Sequence, residues 1–176
     1  MKKTIAIVSF GDAGGESEAL RQAAECFGYS VLKYGIGRPQ DFIDIISGKI
    51  PHVDCIIISC HGGDSGIVMP KLGQDIYLSS EPQGDFGALE IDKYLALKDT
   101  CIVNLGCATG AEDMARAFTK NNNTYIAPVD YVEGSSSLIF AISLLYHASQ
   151  NGFDIADSYR KASSTDSETG LFVLKK

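Results

Sequence analysis

Five short apolar runs rich in β-branched residues, at 4–10, 29–34, 55–59, 100–105 and 124–129, punctuate the sequence, each of strand length. Between and after them lie stretches with helical spacing, at 16–27, 39–47, 89–97, 111–121 and 136–149. Strands alternating with helices predict a parallel α/β sheet. The runs Cys55-Ile56-Ile57-Ile58-Ser59 and Cys101-Ile102-Val103-Asn104-Leu105 are almost unbroken, as strands covered on both faces require, so both are expected mid-sheet. A last apolar run at 171–174 reads as an edge strand, preceded by a Ser/Thr/Asp-rich loop at 163–170. No repeat or linker divides the sequence, and residues 1–176 read as a single domain.

One connection breaks the rhythm. About two dozen residues, 62–87, separate a central strand from the next helix, longer than an ordinary crossover loop. Within them 66–69 and 75–79 flank a Lys-Leu-Gly turn, which predicts a small hairpin, with 81–87 as a flexible return.

Composition narrows the function classes. Hydrophobic residues at 45% and charged residues at 21% fit a packed globular chain rather than a disordered one. A net charge of −7 without a Lys/Arg cluster lacks the footprint of a nucleic-acid or anionic-membrane binder. The longest apolar stretch, 138–148, is interrupted by Ser143 and His147 and falls short of a membrane span. The apolar start at 4–10 is too short for a signal peptide, and five cysteines without a CxxC pair fit reduced thiols, so a cytoplasmic location is expected. No metal cluster or cofactor motif is present, and the Gly-rich stretch 11–15 lacks a dinucleotide fingerprint.

In a parallel α/β sheet, ligands bind beyond the carboxyl ends of the strands. Two reactive side chains stand there: His61 in ISCHGGDSG and Cys107 in NLGCATG. On neighbouring strands their backbones would lie roughly 5 Å apart, within reach of a nucleophile–base pair. A helix starting directly after Cys107 would favour its thiolate, and Thr109 and Glu112 match a capping box for that helix. Gly62, with no Cβ, and the amide of Cys107 are the natural oxyanion donors.

A His-Gly after one strand, an insert, then a strand ending in cysteine resembles the caspase-like (clan CD) cysteine peptidases. The runs ALKDTCIVNLGCATG and APVDYVEGSSSLIFAISLLYHA are most similar to the CHAT subgroup. The resemblance covers residues 4–162, with Cys107 following His61 by 46 residues. Gly106 stands where the family usually has Ala, and Ala108-Thr109-Gly110 where a charged residue precedes Ser-Gly or Thr-Gly.

The resemblance implies a three-layer caspase-like fold: a mostly parallel central sheet of about six strands with helices on both faces. It implies an endopeptidase with His61 and Cys107 as its dyad, acting on a peptide or protein substrate and meeting a regulatory protein partner. By the same analogy Asp12 and Asp130, acidic residues after two other strands, would line a pocket for a basic P1 side chain. Two other readings stay open. One is a catalytically silent peptide- or protein-binding module on the same scaffold. The other is a cysteine amidase or acyltransferase with His147 as the base of Cys107.

Overall fold

A computed structural model describes residues 3–176, with the side chain of Asp12 outside that description. Six strands form one sheet: β1 (Thr4–Phe10), β2 (Ser30–Ile36), β3 (Cys55–Ser59), β6 (Cys101–Asn104), β7 (Thr124–Pro128) and β8 (Phe172–Lys175). Their spatial order is β2-β1-β3-β6-β7-β8, parallel throughout except that β8 runs antiparallel to β7. β3 and β6 are neighbours at the centre, as their unbroken apolar runs require, and every residue of both is buried.

Alternate residues of the five parallel strands feed two cores. Ala6, Val8, Ile56, Ile58, Ile102 and Tyr125 face one way, onto α2 (Pro39–Ile46), α3 (Ala88–Tyr94) and α4 (Glu112–Thr119). Ile5, Ile7, Ile57, Val103 and Ile126 face the other, onto α1 (Gly14–Cys26), α5 (Gly134–Gln150) and α6 (Ile155–Ala162). Each Ile or Val among them contributes about 1.5–3 kcal/mol by leaving water. Stacked rings close both layers: Phe118 on Tyr125 at 4.4 Å between centroids, and Phe140 on Phe172 at 3.8 Å.

The insert departs from expectation. Its hairpin is smaller and earlier, pairing β4 (Gly62–Gly63) with β5 (Gly66–Ile67) around Asp64 and Ser65, with Gly66 at φ +103. Segments 66–69 and 75–79 do not pair. Pro70 has no N–H for a ladder, Gln74–Ile76 is a single 3₁₀ turn, and Ile67 exchanges backbone bonds with Phe86 instead. Nor is the return at 81–87 loose. Glu81, with a fully buried side chain, takes two hydrogen bonds from the Arg38 guanidinium and one each from the amides of Gln40 and Leu78. The insert is thereby bolted to the start of α2.

Candidate active site

Ile58 sits opposite Asn104 in the β3–β6 register, and the Leu105 amide donates to the Ile58 carbonyl at 2.9 Å. Two strands in this register deliver His61 and Cys107 side by side at the sheet's carboxyl edge. The segments that follow touch: a Cβ on Gly62 would lie 2.4 Å from the Cys107 carbonyl oxygen and 2.9 Å from the Gly106 carbonyl carbon. Only glycine fits there. Both predicted residues line one cavity of about 350 Å³, whose walls also include Ala13, Glu16, Val132 and Ser137.

The turn carrying Cys107 is stitched on every side. The carbonyl of buried Asn104's side chain accepts the Gly106 amide at 2.9 Å and the Cys60 thiol at 3.3 Å. Thr109 donates its hydroxyl to Gly106, Tyr125 donates to the Thr109 carbonyl, and Gly110 to that of Pro128. Ala108 donates its amide to the Asp130 carbonyl and holds φ +57, a left-handed conformation that costs a residue with a Cβ about 1–2 kcal/mol. This turn presents the half-buried Cys107, whose thiol donates to the Val132 carbonyl at 3.4 Å. Among the described residues the Cys107 amide has no hydrogen-bond acceptor.

Two expectations about the turn change. α4 begins at Glu112 rather than directly after Cys107, because the chain first spends its bonds on the turn. Thr109 accordingly caps nothing: its hydroxyl is committed to Gly106, and Ala111 is the N-cap. α5 brings its first residue, Gly134, to the cavity wall.

The acidic positions also sort differently. Asp130 is exposed, its carboxylate accepting the amide of Tyr131 at 2.7 Å, and it is not among the described lining residues. Asp12 lies in a 3₁₀ turn, and its side chain is outside the description. The carboxylate that does line the cavity is Glu16, in the first turn of α1. Burial pushes its carboxyl above the ordinary range, while the charge of nearby His61 pulls the other way. Nothing at a strand end announced Glu16; it stands six residues past β1, where an acid in a helix's first turn reads as a partner of the helix dipole.

His147 falls away as a base. It stands 13 residues beyond Gly134, and at the helical rise α5 carries it about 20 Å from the cavity end of that helix. The thiol of Cys60 is buried, and that burial drives it well above its ordinary range. It stays protonated and donates to Asn104.

No protein-family model matches the chain, and no curated protein matches it by sequence. Solved structures do. A complex of Porphyromonas gingivalis RgpB pro- and mature domains aligns with a TM-score of 0.58 at 13% identity, covering 96% of this chain and 44% of that one. The chain thus spans less than half of the RgpB chain. A semialdehyde dehydrogenase NAD-binding protein from Cupriavidus necator, in complex with calcium and NAD, aligns with a TM-score of 0.35 at 16% identity, covering 72% of this chain and 41% of that one. The mostly parallel six-stranded sheet between helices is the layout expected of a caspase-like fold.

Proposed function

We propose that the protein is a cysteine endopeptidase working through a Cys107–His61 dyad. The observation that carries this is the shared cavity: a thiol and an imidazole, from adjacent central strands and 46 residues apart in sequence, line the same opening. His61 takes the Cys107 proton as the sulfur attacks the peptide carbonyl carbon. The amides of Cys107 and Gly62 hold the oxyanion. The C–N bond then breaks, His61 protonates the departing amine, and water hydrolyses the thioester to free the sulfur. The order of ISCHGGDSG and NLGCATG supports a place beside the CHAT subgroup. The same reading includes a basic residue at P1.

The test is covalent labelling and turnover. An acyloxymethylketone peptide is expected to modify Cys107, as read by peptide mass spectrometry, and to spare the other four cysteines. Cys107→Ala abolishes cleavage of a peptide library, and His61→Ala lowers kcat by at least ~100-fold. Uniform labelling of all five thiols, or a Cys107→Ala protein as active as the parent, overturns the proposal.

A further inference from the structure

At the opposite edge of the sheet from the dyad stand two thiols that the proposed chemistry does not use. Cys55 opens β3 and Cys101 opens β6, and the two are direct register partners on neighbouring parallel strands. Their side chains lie on one face of the sheet, in the core that holds Ile57 and Val103. In-register Cα atoms on adjacent strands are roughly 5 Å apart, inside the ~4.4–6.8 Å that a disulfide spans. Both cysteines are free thiols, and they already interact. The hydrogen bond with Cys101, and then burial, push the Cys55 thiol well above its ordinary range, and Cys55 Sγ also lies 3.8 Å from the Ile56 carbonyl oxygen.

Access to the pair is unequal. Cys101, 7% exposed, lines a cavity of about 360 Å³ whose walls include Lys3, His52, Thr100 and Phe153, whereas Cys55, 1% exposed, is not among the described lining residues. A reagent in that cavity meets Cys101 first, with Cys55 behind it. Each cysteine is the first residue of its strand, where local opening costs least. We propose that Cys55 and Cys101 form a reversible dithiol–disulfide site, oxidised by low-molecular-weight disulfides that enter through this cavity. The Cys101 thiolate attacks one sulfur of the small disulfide, whose S–S bond breaks to release one thiolate and leave a mixed disulfide. Cys55 loses its proton and attacks the Cys101 sulfur, the bond to the adduct breaks, and the second small thiolate departs. The two protein thiols give up two electrons and two protons, and both pairs end on the two small thiols. The bridge ties β3 to β6 six residues before His61 on one strand and six before Cys107 on the other. It requires neither member of the dyad, so it stands or falls separately from the peptidase reading.

The full chain is incubated with oxidised glutathione in native buffer, quenched with N-ethylmaleimide and digested. Tandem mass spectrometry of the linked peptides assigns each bridge, which is needed because Cys60 shares a tryptic peptide with Cys55, and Cys107 shares one with Cys101. A Cys55–Cys101 bridge is expected, and dithiothreitol should return both thiols. Cys55→Ala, which lacks the resolving thiol, should instead accumulate a glutathione adduct on Cys101. In Cys101→Ala, Cys55 should stay a free thiol over the same period. Circular dichroism checks that both variants are folded; if either is not, the bridge in the parent decides the matter. Oxidation confined to the exposed Cys26 and to Cys107, with Cys55 and Cys101 taking up maleimide only after denaturation, overturns the proposal. So does a Cys55–Cys101 bridge that forms only in denaturant, or a Cys101→Ala protein whose Cys55 acquires glutathione as fast as the parent forms its bridge.

Discussion

Gly62 is where the site tolerates least. A methyl group there would press on the Cys107 carbonyl, the Gly106 carbon and the Thr109 Cγ2, two of which are backbone and cannot swing aside. Gly62→Ala is expected to cut turnover by ~100-fold or more and stability by about 1–3 kcal/mol, measured by kinetics and urea melts. Ala108 is the converse case. Its φ of +57 suits glycine better, so Ala108→Gly should stabilise the fold by about 0.5–1 kcal/mol. Glu16 is a half-buried carboxylate in the cavity wall. Because burial raises its carboxyl, the native state holds that proton longer than the unfolded chain, and stability falls as pH rises through the interval between them. Glu16→Gln has no such proton to lose. Melts should find it more stable than the parent near neutral pH, with the difference vanishing below about pH 4. Glu16 escaped the sequence reading because first-turn acids are ordinary in helices, while His61 and Cys107 were legible because few residue types at strand ends do chemistry.

Among the elements, the long insert depends on one carboxylate. Glu81 is held down to a pKa of about 2, chiefly by the Arg38 guanidinium and then by the amides of Leu78 and Gln40. A depressed carboxyl stabilises the fold above its unfolded value, about 4.5, and that contribution drains away as pH falls toward 2. Glu81→Gln should therefore cost about 2 kcal/mol at neutral pH, with faster hydrogen exchange first at the amides of Gln40 and Leu78. The sequence could not show this bond, because Arg38 and Glu81 are far apart along the chain and each alone reads as surface charge. The parallel strands were legible for the opposite reason: two covered faces leave a continuous apolar signature in β3 and β6. The short α6 left no such trace. Its eight residues include three charged ones, and it is held by the Asp154 cap and by Tyr159 donating to the Phe172 carbonyl.

At the scale of the whole molecule, α5 joins the cavity to the far edge of the sheet. Its first turns supply Gly134 and Ser137 to the cavity, and Phe140, one turn on, stacks on Phe172 of β8. Phe172→Ala removes a fully buried ring and should cost about 3–5 kcal/mol in denaturant melts. Turnover should fall more than for an equally destabilising change in α2, because only the former loosens a cavity wall. The last strand was readable as an edge from its short apolar run, but its stacking on α5 was not, since an isolated FVLK says nothing about which ring it meets.

The cavity's walls are drawn from residues as far apart as Ala13 and Ser137, with His61 and Cys107, which follow two different strands, between them. A growing polypeptide that has made His61, or even Cys107, still lacks the loop after β7 and the first turns of α5. If the proposed dyad cuts peptides, that chemistry is withheld from the nascent chain and arrives only when the sheet has closed.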